Sequence, residues 1–536
     1  MGWLRSGWLR AGMVILAAIL WKIALLAMNA FPFNADEAIV GLMARHILAG
    51  ERPIFFYGQA YMGSLDAWLT AAGFALFGSH VWVIRLVQTI LYALTIGGVI
   101  LLGRLGLGSW NHGILAGLLL AVPAVNTNLY TTVSLGGYGE ALLLGVVGLL
   151  LGFWMSQAGR KPHPVWWFAW GCLAGLGLWA NAISWVFFLP MGIYLLAWLT
   201  RSAKRRNWQR SLPAILSGLA GGLLGSLPWW IYALQHGFGG LLDELFGGAV
   251  AVEGGGWLLR SLNHAVNFLL LGLPAALGMR PPWEVRWLAL PLLPLALGFW
   301  IAAGVFLLRW RSADDPQRKV YLVLAGIIGV LALLFIFTPF GVDPSGRYFL
   351  PLAIPLALGA GGRLLALKPR YLAGILAGLV LAFNLWGTLD CGLKNPPGIT
   401  TQFYEPAQVD QSKMPELVNF LISAEETRGY TTYWAAYPLA FLTNETILFT
   451  PRLPYHLDLT YTHRDERYAP YADAVAQAKR VAYISTRNPA LDERLRTEFI
   501  RMGITWQEKQ MGDFCVFYHL SRLVRPEELN INQELP

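Results

Sequence analysis

The sequence predicts a polytopic α-helical membrane protein that carries a small α/β domain at its C-terminal end. Of the 536 residues, 56% are hydrophobic and only 13% are charged, whereas soluble globular proteins carry about 25% charged residues. Apolar runs of the length needed to cross a bilayer recur as far as about residue 390. Beyond that point helical and strand patterns alternate, which is typical of a soluble α/β domain.

About eleven apolar segments are long enough to be membrane-spanning helices. The first follows Arg5 and Arg10 as in a signal peptide, but no small-residue cleavage site is evident, so we expect it to remain as a span. The predicted spans are residues 11–30, 81–103, 112–130, 136–156, 165–181, 183–200, 212–233, 287–308, 320–338, 348–366 and 371–389.

Lysine and arginine residues collect between alternate apolar segments, which predicts the orientation of the chain. Residues 262–279 are also apolar, but a crossing there would reverse the pattern, so we expect this segment to lie in or dip into the outer leaflet. The prediction is a protein of the cytoplasmic membrane with its N-terminus inside and its C-terminal domain outside. The basic residues assigned to the inside are Arg5, Arg10, Arg104, Arg160, Lys161, Arg201, Lys204, Arg205, Arg206, Arg210, Arg309, Arg311, Arg318, Lys319, Arg363, Lys368 and Arg370.

The net charge of +9 does not indicate a nucleic-acid-binding protein, because the basic residues sit in short clusters between apolar runs. The three cysteines, Cys172, Cys391 and Cys515, have no C-x-x-C spacing, which argues against a zinc site of that type. Two interpretations remain open for Cys391 and Cys515: a disulfide between them, or two unrelated buried thiols.

The predicted domains are a membrane domain at residues 1–390, with a first outer loop at 31–80, and an extracytoplasmic domain at 391–536. Residues 394–398 read as a linker. In the second domain we predict helices at 413–427, 469–478 and 490–502, strands at 430–437, 446–450 and 480–486, and a hairpin of 504–510 and 513–520. No phosphate loop, nucleophile elbow or carboxylate pair is recognisable in it.

Two adjacent carboxylates, Asp36 and Glu37, begin an amphipathic helix directly after the first span. Asn34 is a good N-cap and Glu37 stands three residues later, so one interpretation of Glu37 is a capping box in a helix whose dipole favours acidic residues. Asp36 is less well explained in this way, since a carboxylate beside lipid is costly unless it is paired, solvated or used. A general base or a ligand of a divalent cation would be such a use.

Several segments of the first outer loop resemble the GT-C superfamily of membrane glycosyltransferases. They are Asn34-Ala-Asp-Glu-Ala38, the amphipathic helix that follows it, Gly50-Glu-Arg-Pro53 and Gly58-Gln-Ala-Tyr-Met-Gly-Ser-Leu65. The most similar branch contains the bacterial relatives of protein O-mannosyltransferases (glycosyltransferase family 39) and the lipid A aminoarabinose transferase. The resemblance implies inverting transfer of a sugar from a polyprenyl-phosphate carrier on the outer face of the membrane. The acceptor, whether protein, glycolipid or polysaccharide, is not implied.

The resemblance also implies roles for individual residues. The acidic residue of the first outer loop falls on Asp36, and the one at the outer end of the fourth span falls on Glu140. With Glu37 these are the candidate catalytic residues, and Asp36 and Glu140 are candidate ligands of a divalent metal ion. In Gly346-Arg-Tyr-Phe-Leu-Pro351, Arg347 and Tyr348 are expected to hold the carrier phosphate. The alternative for Glu140 is a polar residue that is hydrogen-bonded by a neighbouring helix and has no catalytic role. The alternative for Arg347 is a charged residue at the membrane interface that only fixes the topology.

The chain departs from the family where many relatives have a lysine in the second half of the first loop. Phosphate binding there would need Gln59 or Tyr61, or a cation from elsewhere such as Arg260, His264 or Arg280. The chief alternative function is a multi-span transporter or lipid flippase, which would favour ionisable groups near the bilayer midplane and inverted repeats. A catalytically inactive scaffold is the third hypothesis.

Overall fold

The structure, a computed structural model, describes residues 2–157, 163–206, 211–245, 254–311, 315–394, 398–531 and 533–534. The basic residues Arg160, Lys161 and Arg210, and residues 395–397 of the predicted linker, lie outside these ranges.

The described part of the chain contains eight helices that are long and apolar enough to cross a membrane, or nine crossings if one bent pair is counted. The bent pair changes direction by 60° at Ser226, where Pro228 cannot supply the backbone N–H that would continue the first helix. The prediction of a multi-pass membrane protein is confirmed. The eight helices are Gly7–Ala27, Val81–Gly106, Tyr138–Met155, Ala182–Thr200, Leu290–Leu307, Gln317–Phe337, Arg347–Leu365 and Tyr371–Leu393.

Two predicted crossings are shorter helices than the sequence suggested. Residues 112–130 divide into Trp110–Ala121 and Val125–Tyr130, with Pro123 between them. Residues 165–181 form a helix of 17 residues, Pro164–Ala180, which ends where Asn181 adopts an extended backbone. Residues 257–276, which include most of the segment expected to dip into the outer leaflet, form a helix with a π turn at Asn267–Gly272 and are not among the candidate spans.

The α-helices and β-strands are numbered here in chain order. The helices are α1 Gly2–Ala27, α2 Ala35–Ala49, α3 Leu65–Phe77, α4 Val81–Gly106, α5 Trp110–Ala121, α6 Val125–Tyr130, α7 Tyr138–Met155, α8 Pro164–Ala180, α9 Trp185–Arg206, α10 Leu212–Gly225, α11 Leu227–His236, α12 Phe238–Leu245, α13 Trp257–Val266, α14 Leu273–Ala276, α15 Leu293–Leu307, α16 Asp315–Phe337, α17 Ala353–Leu365, α18 Tyr371–Lys394, α19 Met414–Ser423, α20 Tyr433–Leu442, α21 Ala469–Ala476 and α22 Pro489–Arg501. The strands are β1 Phe55–Phe56, β2 Gln59–Gly63, β3 Arg428–Thr431, β4 Leu448–Thr450, β5 Thr460–Tyr461, β6 Ala482–Thr486, β7 Gln507–Met511, β8 Phe514–Tyr518 and β9 Gln533–Glu534.

The chain divides into two compact units. The membrane unit comprises Met1–Ala30, Ala60–Asp66 and Arg85–Lys394, and the C-terminal unit comprises Phe31–Gln59, Ala67–Ile84 and Asn395–Pro536. The sequence analysis described the first outer loop with the membrane domain, whereas the packing groups most of that loop with the C-terminal region.

Glycines allow α8 and α10 of the membrane unit to pack backbone against backbone. A Cβ atom on Gly171 would lie 2.0 Å from the carbonyl oxygen of Gly218, and one on Gly225 would lie 2.2 Å from that of Cys172. At the end of α8, the side-chain amide of Asn181 donates to the carbonyl of Gly136 (3.1 Å). The close helix pair therefore fixes the turn that begins α7.

The C-terminal unit contains a five-stranded sheet in the order β4-β3-β6-β8-β7. Strand β3 is parallel to both β4 and β6, and β8 is antiparallel to β6 and β7. The central strand β6 is buried along its whole length, as expected for a strand covered on both faces. The predicted small α/β domain is confirmed, including the hairpin of β7 and β8.

The predicted strand at 430–437 is wrong in its second half. Strand β3 ends at Thr431 and α20 begins at Tyr433, and the intervening Thr432 side chain hydrogen-bonds that of Thr486 (2.7 Å). Pro438 inside α20 cannot donate to the carbonyl of Trp434, and the Gln411 side chain donates to that carbonyl instead (3.0 Å). Local propensity favoured a strand through these aromatic residues, and tertiary hydrogen bonds select the helix.

All three cysteines are free thiols. Cys391 and Cys515 are both buried, and Cys172 is partly buried.

Candidate active site

Asp36 and Glu37 lie in the first turn of α2, as predicted. The side-chain oxygen of Asn34 accepts a hydrogen bond from the backbone N–H of Glu37 (2.9 Å), which is the N-cap that the sequence indicated. Glu37 is completely buried, whereas Asp36 is half-buried. Of the two adjacent carboxylates, Asp36 is thus the more accessible one.

Asp36 accepts a hydrogen bond from a tyrosine of the C-terminal region. The hydroxyl of Tyr433, the first residue of α20, donates to Asp36 Oδ1 over 2.5 Å. Burial of the phenol and the negative charge of Asp36 raise the pKa of Tyr433 well above its ordinary value. Tyr433 therefore remains a protonated donor at physiological pH.

Arg467 supplies positive charge beside Asp36 and Tyr433. Its guanidinium carbon lies 5.4 Å from the centre of the Tyr433 ring. Burial acts to lower the pKa of Arg467, but the neighbouring Tyr433 and Asp36 outweigh burial and raise it. The guanidinium thus stays charged next to the carboxylate.

Residues of the first outer loop hold the guanidinium of Arg467. Its Nη1 donates to the carbonyl of Gly58 (3.1 Å), and the amide oxygen of Gln59, turned toward Arg467, accepts from both Nη atoms at 3.2 and 3.0 Å. Gly58 has φ of 70° and a Cβ atom there would lie 2.7 Å from Arg467 Cδ, so only glycine fits. Gln59, which was predicted to bind phosphate, instead contacts Arg467.

A second cluster fixes the C-terminal end of α2. The two ring nitrogens of His46 hydrogen-bond Glu445 and Tyr57, both at 2.9 Å, and the ring stacks on Tyr468 with centroids 4.5 Å apart. Glu51 accepts from the hydroxyls of Tyr57 (2.8 Å) and Tyr468 (2.5 Å). Helix α2 is therefore held against the C-terminal region at both ends.

Asp465 is a buried acid close to this group, only 7% exposed. Burial, followed by the charges of Asp36 and Glu466, raises the pKa of Asp465 to about 7, while Arg467 opposes the shift. The C-terminal unit thus contains a carboxyl group that changes its charge near neutral pH and interacts with Asp36.

Glu140 lies in the membrane unit, in the first turn of α7. The turn depends on Gly137, whose φ is 86° and whose added Cβ would lie 2.8 Å from the carbonyl of Ala180. Glu140 is 2% exposed, and its carboxyl group lies within hydrogen-bonding reach of that of Asp66. Two buried carboxyl groups this close together require a shared proton or a cation.

Asp66 forms a second buried carboxylate in the same unit. It is 2% exposed and accepts hydrogen bonds from the side chains of Gln88 (2.9 Å) and Ser134. Asp66 also interacts electrostatically with Glu140. Asp66 lies in the first turn of α3 and also belongs to this buried polar group.

Arg347 and Tyr348 lie together with two other tyrosines of the membrane unit. The charge of Arg347 interacts with the hydroxyl groups of Tyr348, Tyr138 and Tyr61, and its guanidinium lies 4.9 Å from the Tyr348 ring. Arg347 Nε forms an ion pair with Asp343 Oδ2 (2.6 Å). A cation surrounded by phenol donors is suited to binding a phosphate.

Segment 125–134 connects this arginine turn with α1. Lys22, which is 1% exposed, donates from Nζ to the Thr131 carbonyl (2.7 Å) and to the hydroxyls of Thr131 (2.9 Å) and Thr132 (2.6 Å). Asn126 Nδ2 donates to the carbonyl of Gly346 (3.1 Å), directly before Arg347. Buried polar contacts therefore set the position of the turn that carries Arg347.

Comparison with known proteins agrees with this architecture. Residues 64–232 match the family model of dolichyl-phosphate-mannose-protein mannosyltransferases. The structure is similar to that of ArnT from Cupriavidus metallidurans bound to undecaprenyl phosphate (TM-score 0.60, 13% identity, 96% of this chain and 98% of that chain covered). It is equally similar to the apo state of that protein (TM-score 0.60, 14% identity, 94% and 97% covered). No curated protein matches the sequence significantly.

The chain has the GT-C fold. The resemblance to this superfamily of membrane glycosyltransferases, which short motifs of the first outer loop indicated, is confirmed. At this level of identity the likeness to ArnT concerns the fold.

Within the GT-C fold, the three alternative cations differ in their surroundings. Arg280 is 1% exposed and donates to backbone carbonyls of Leu271, Pro281, Glu284 and Pro344. His264 is buried and its Nδ1 hydrogen-bonds the carbonyl of Ile336 (3.0 Å). Arg260 is half-buried on α13. Arg280 and His264 are thus engaged in holding loops.

The carboxylates do not form a ready-made metal cage. No group of three or more His, Cys, Asp or Glu side chains suited to a metal ion occurs in the described ranges. The adjacent pair Asp66 and Glu140 could supply two oxygen ligands of the kind that divalent cations prefer.

The sequence analysis did not single out four residues of this arrangement: Asp66, Asp343, Tyr433 and Arg467. Asp343 stands four residues before Arg347, a spacing that could have been read as an ion pair. Asp66 stands in the first turn of a helix, where an acidic residue needs no further explanation. Tyr433 and Arg467 carry no local signal, because their contacts are with residues about 400 positions earlier in the chain.

Proposed function

We propose that this protein is an inverting glycosyltransferase that moves a sugar from a polyprenyl-phosphate carrier to an acceptor at the outer face of the cytoplasmic membrane. The observation that carries the proposal is Asp36, a half-buried carboxylate at the start of α2 that a tyrosine hydroxyl orients and an arginine faces. A fixed carboxylate of this kind is what a general base or a metal ligand requires.

In the proposed reaction, an acceptor hydroxyl oxygen attacks the anomeric carbon of the carrier-linked sugar. The bond between that carbon and the phosphate oxygen breaks on the opposite face, which inverts the configuration and releases polyprenyl phosphate. The hydroxyl proton passes to Asp36 when this residue acts as base. As a metal ligand, Asp36 would instead help to hold a divalent cation that neutralises the leaving phosphate, and the hydroxyl proton would pass to an oxygen of that phosphate.

The donor side of the proposal rests on Arg347 and its phenol neighbours. The planar guanidinium is permanently charged, and Tyr348, Tyr138 and Tyr61 interact with it. We assign this group to the carrier phosphate, where positive charge both binds the donor and stabilises the leaving group. Binding of undecaprenyl phosphate by ArnT, which has a similar fold, is consistent with this assignment.

Glu140 has the second role in the proposal. Its buried carboxyl group, paired with Asp66, is suited to accept a hydrogen bond from an acceptor hydroxyl, or to share a metal ion with that second carboxylate. Glu37 is completely buried beside its cap, Asn34, and we assign it no step in the reaction.

The test is donor turnover by the purified protein in lipid. A panel of polyprenyl-phosphate sugars is supplied with membrane extract as acceptor source, and release of free polyprenyl phosphate is measured with and without a chelator. We expect turnover by the wild type and a loss of at least about 100-fold in Asp36→Asn, the usual range for a catalytic base. Chelator sensitivity would assign Asp36 to a metal.

Asp473→Asn is the matched control, since it makes the same chemical change on an exposed position of α21 in the same unit. It should retain wild-type turnover. Equal turnover by Asp36→Asn and the wild type would refute the role of Asp36, and a wild type that binds but never releases any carrier would favour the transporter hypothesis.

A further inference from the structure

We infer that Tyr433 and Arg467, both from the C-terminal region, are positioning residues for Asp36. The inference deepens the proposed function and rests on it, because it concerns the carboxylate to which that function assigns the central role. By this inference, residues after position 398 help to orient Asp36 for the reaction.

The first observation is the direct contact between α2 and α20. Tyr433 Oη donates to Asp36 Oδ1 over 2.5 Å, which leaves Oδ2 as the oxygen free of this contact. Hydrogen bonds to an ionised acceptor are short and strong. Tyr433 is only 3% exposed and packs edge-on against Trp434 and Tyr437, with ring centroids 4.9 and 5.4 Å away. The ring cannot turn away without disturbing that packing.

The second observation is that neighbouring residues hold the Arg467 guanidinium in one position. Gly58 and Gln59 accept from its Nη atoms, Gly58 lacks the Cβ that would collide with it, and Tyr433 lies against its guanidinium. Its Nε has no hydrogen-bond partner in the described residues although it is buried. Such an arrangement keeps a positive charge at one fixed place.

The groups that face Asp36 come from several segments. They are Tyr433 on α20, Tyr455 after β4, and Asp465 and Arg467 before α21. Of these, Tyr433 holds Oδ1 by a hydrogen bond and Arg467 places a cation beside the carboxylate. Removal of either should therefore leave Asp36 less well oriented for the reaction.

A positioning residue acts on the reacting carboxylate rather than on donor binding, so its loss should separate kcat from KM. In Tyr433→Phe we expect kcat to fall about tenfold, the effect of losing one hydrogen bond to a charged group, with a smaller change in KM for the donor.

Arg467 is tested by two replacements. Arg467→Gln should lower kcat with a smaller change in KM for the donor, and Arg467→Lys, which keeps the charge, should recover part of the wild-type kcat. A purely structural role would make both variants unstable without separating kcat from KM. The donor in each assay is the polyprenyl-phosphate sugar that the wild type uses.

Tyr483→Phe is the matched control, because it also removes a buried phenol hydrogen bond in the same unit, from Tyr483 to the Val524 carbonyl (2.8 Å). It should lower the thermal midpoint but leave kcat of the folded protein unchanged. A wild-type kcat in Tyr433→Phe, or an equal fall of kcat in Tyr483→Phe, would overturn the inference.

A measurement without turnover separates this inference from the proposed function. In thermal unfolding, the loss for the double variant Asp36→Ala/Tyr433→Phe should be clearly smaller than the sum of the single losses, since each replacement removes the same contact. Additive losses would overturn the inference. Activity of Asp36→Asn equal to wild type would instead refute the proposed function, whatever the coupling.

Discussion

Asp36 and Tyr433 are 397 residues apart in the chain and are joined by a hydrogen bond of 2.5 Å. Asp36 lies in α2, which follows the first membrane-spanning helix, and Tyr433 begins α20, which follows strand β3 of the five-stranded sheet. The contact ties the candidate catalytic carboxylate to the C-terminal region, and the surrounding structure supplies four further predictions.

Arg347 is expected to bind the carrier phosphate, so its removal should affect donor binding. Arg347→Gln should raise KM for the donor about 10- to 100-fold, because a charged hydrogen bond contributes ~1.5–3 kcal/mol. Arg347→Lys should retain part of the affinity but lack the planar fork. Steady-state kinetics with varied donor measure the effect.

The control is Arg363→Gln, which replaces an exposed arginine in the last turn of α17. Equal KM values in the Arg347→Gln and Arg363→Gln variants would contradict the assignment.

Gly137 should not tolerate a side chain. Gly137→Ala places a Cβ 2.8 Å from the Ala180 carbonyl at a φ of 86°, and we expect a destabilisation of ~1–3 kcal/mol together with lower turnover, since Glu140 follows three residues later. Thermal unfolding in detergent measures the first effect. Gly374→Ala in α18 meets nothing within 4 Å and should be neutral or slightly stabilising. A Gly137→Ala protein as stable as this control would refute the strained turn.

Asp465 should make stability depend on pH. Its folded pKa of about 7 lies above the ordinary value of 3.8, so between these values the folded state holds a proton that the unfolded state has released. Stability should therefore fall as pH rises from 4 to 7, by up to about 4 kcal/mol, and stay level above 7. Asp465→Asn should remove this fall. Thermal midpoints across pH test it, and an unchanged pH dependence in the variant would show that Asp465 titrates normally.

Lys22 should stabilise the membrane unit through its three hydrogen bonds to Thr131 and Thr132. Lys22→Met keeps the apolar stem but leaves the Thr131 carbonyl and two hydroxyls without the ammonium, which should cost ~1–3 kcal/mol. Lys479→Met at an exposed position is the comparison. Equal thermal midpoints for the two variants would mean that water or neighbouring groups replace the ammonium.

Local sequence signals predicted those features that depend on near neighbours in the chain. The N-cap at Asn34 was recognisable because its partner, Glu37, is three residues away. The hairpin of β7 and β8 was recognisable from two strand patterns around a glycine at 512, which has φ of 57°. The start of α20 was not, because Thr432 and Trp434 are fixed by Thr486 and Gln411, and no local pattern encodes such partners.

The sequence by itself determined that most of this chain folds in lipid rather than in water, and hence that it is built mainly from membrane-spanning helices. A chain with so few charges must bury its backbone polar groups within helices in lipid, and the change in composition near residue 390 marks where that demand ends. Short motifs around Asp36 were enough to indicate the GT-C fold. Only the tertiary structure decided the surroundings of the candidate residues: which tyrosine orients Asp36, that Gln59 binds Arg467, and that Asp66 is buried with Glu140. The physical reason is that burial and hydrogen bonds between distant segments depend on packing in three dimensions, which periodicity and spacing along the chain do not record.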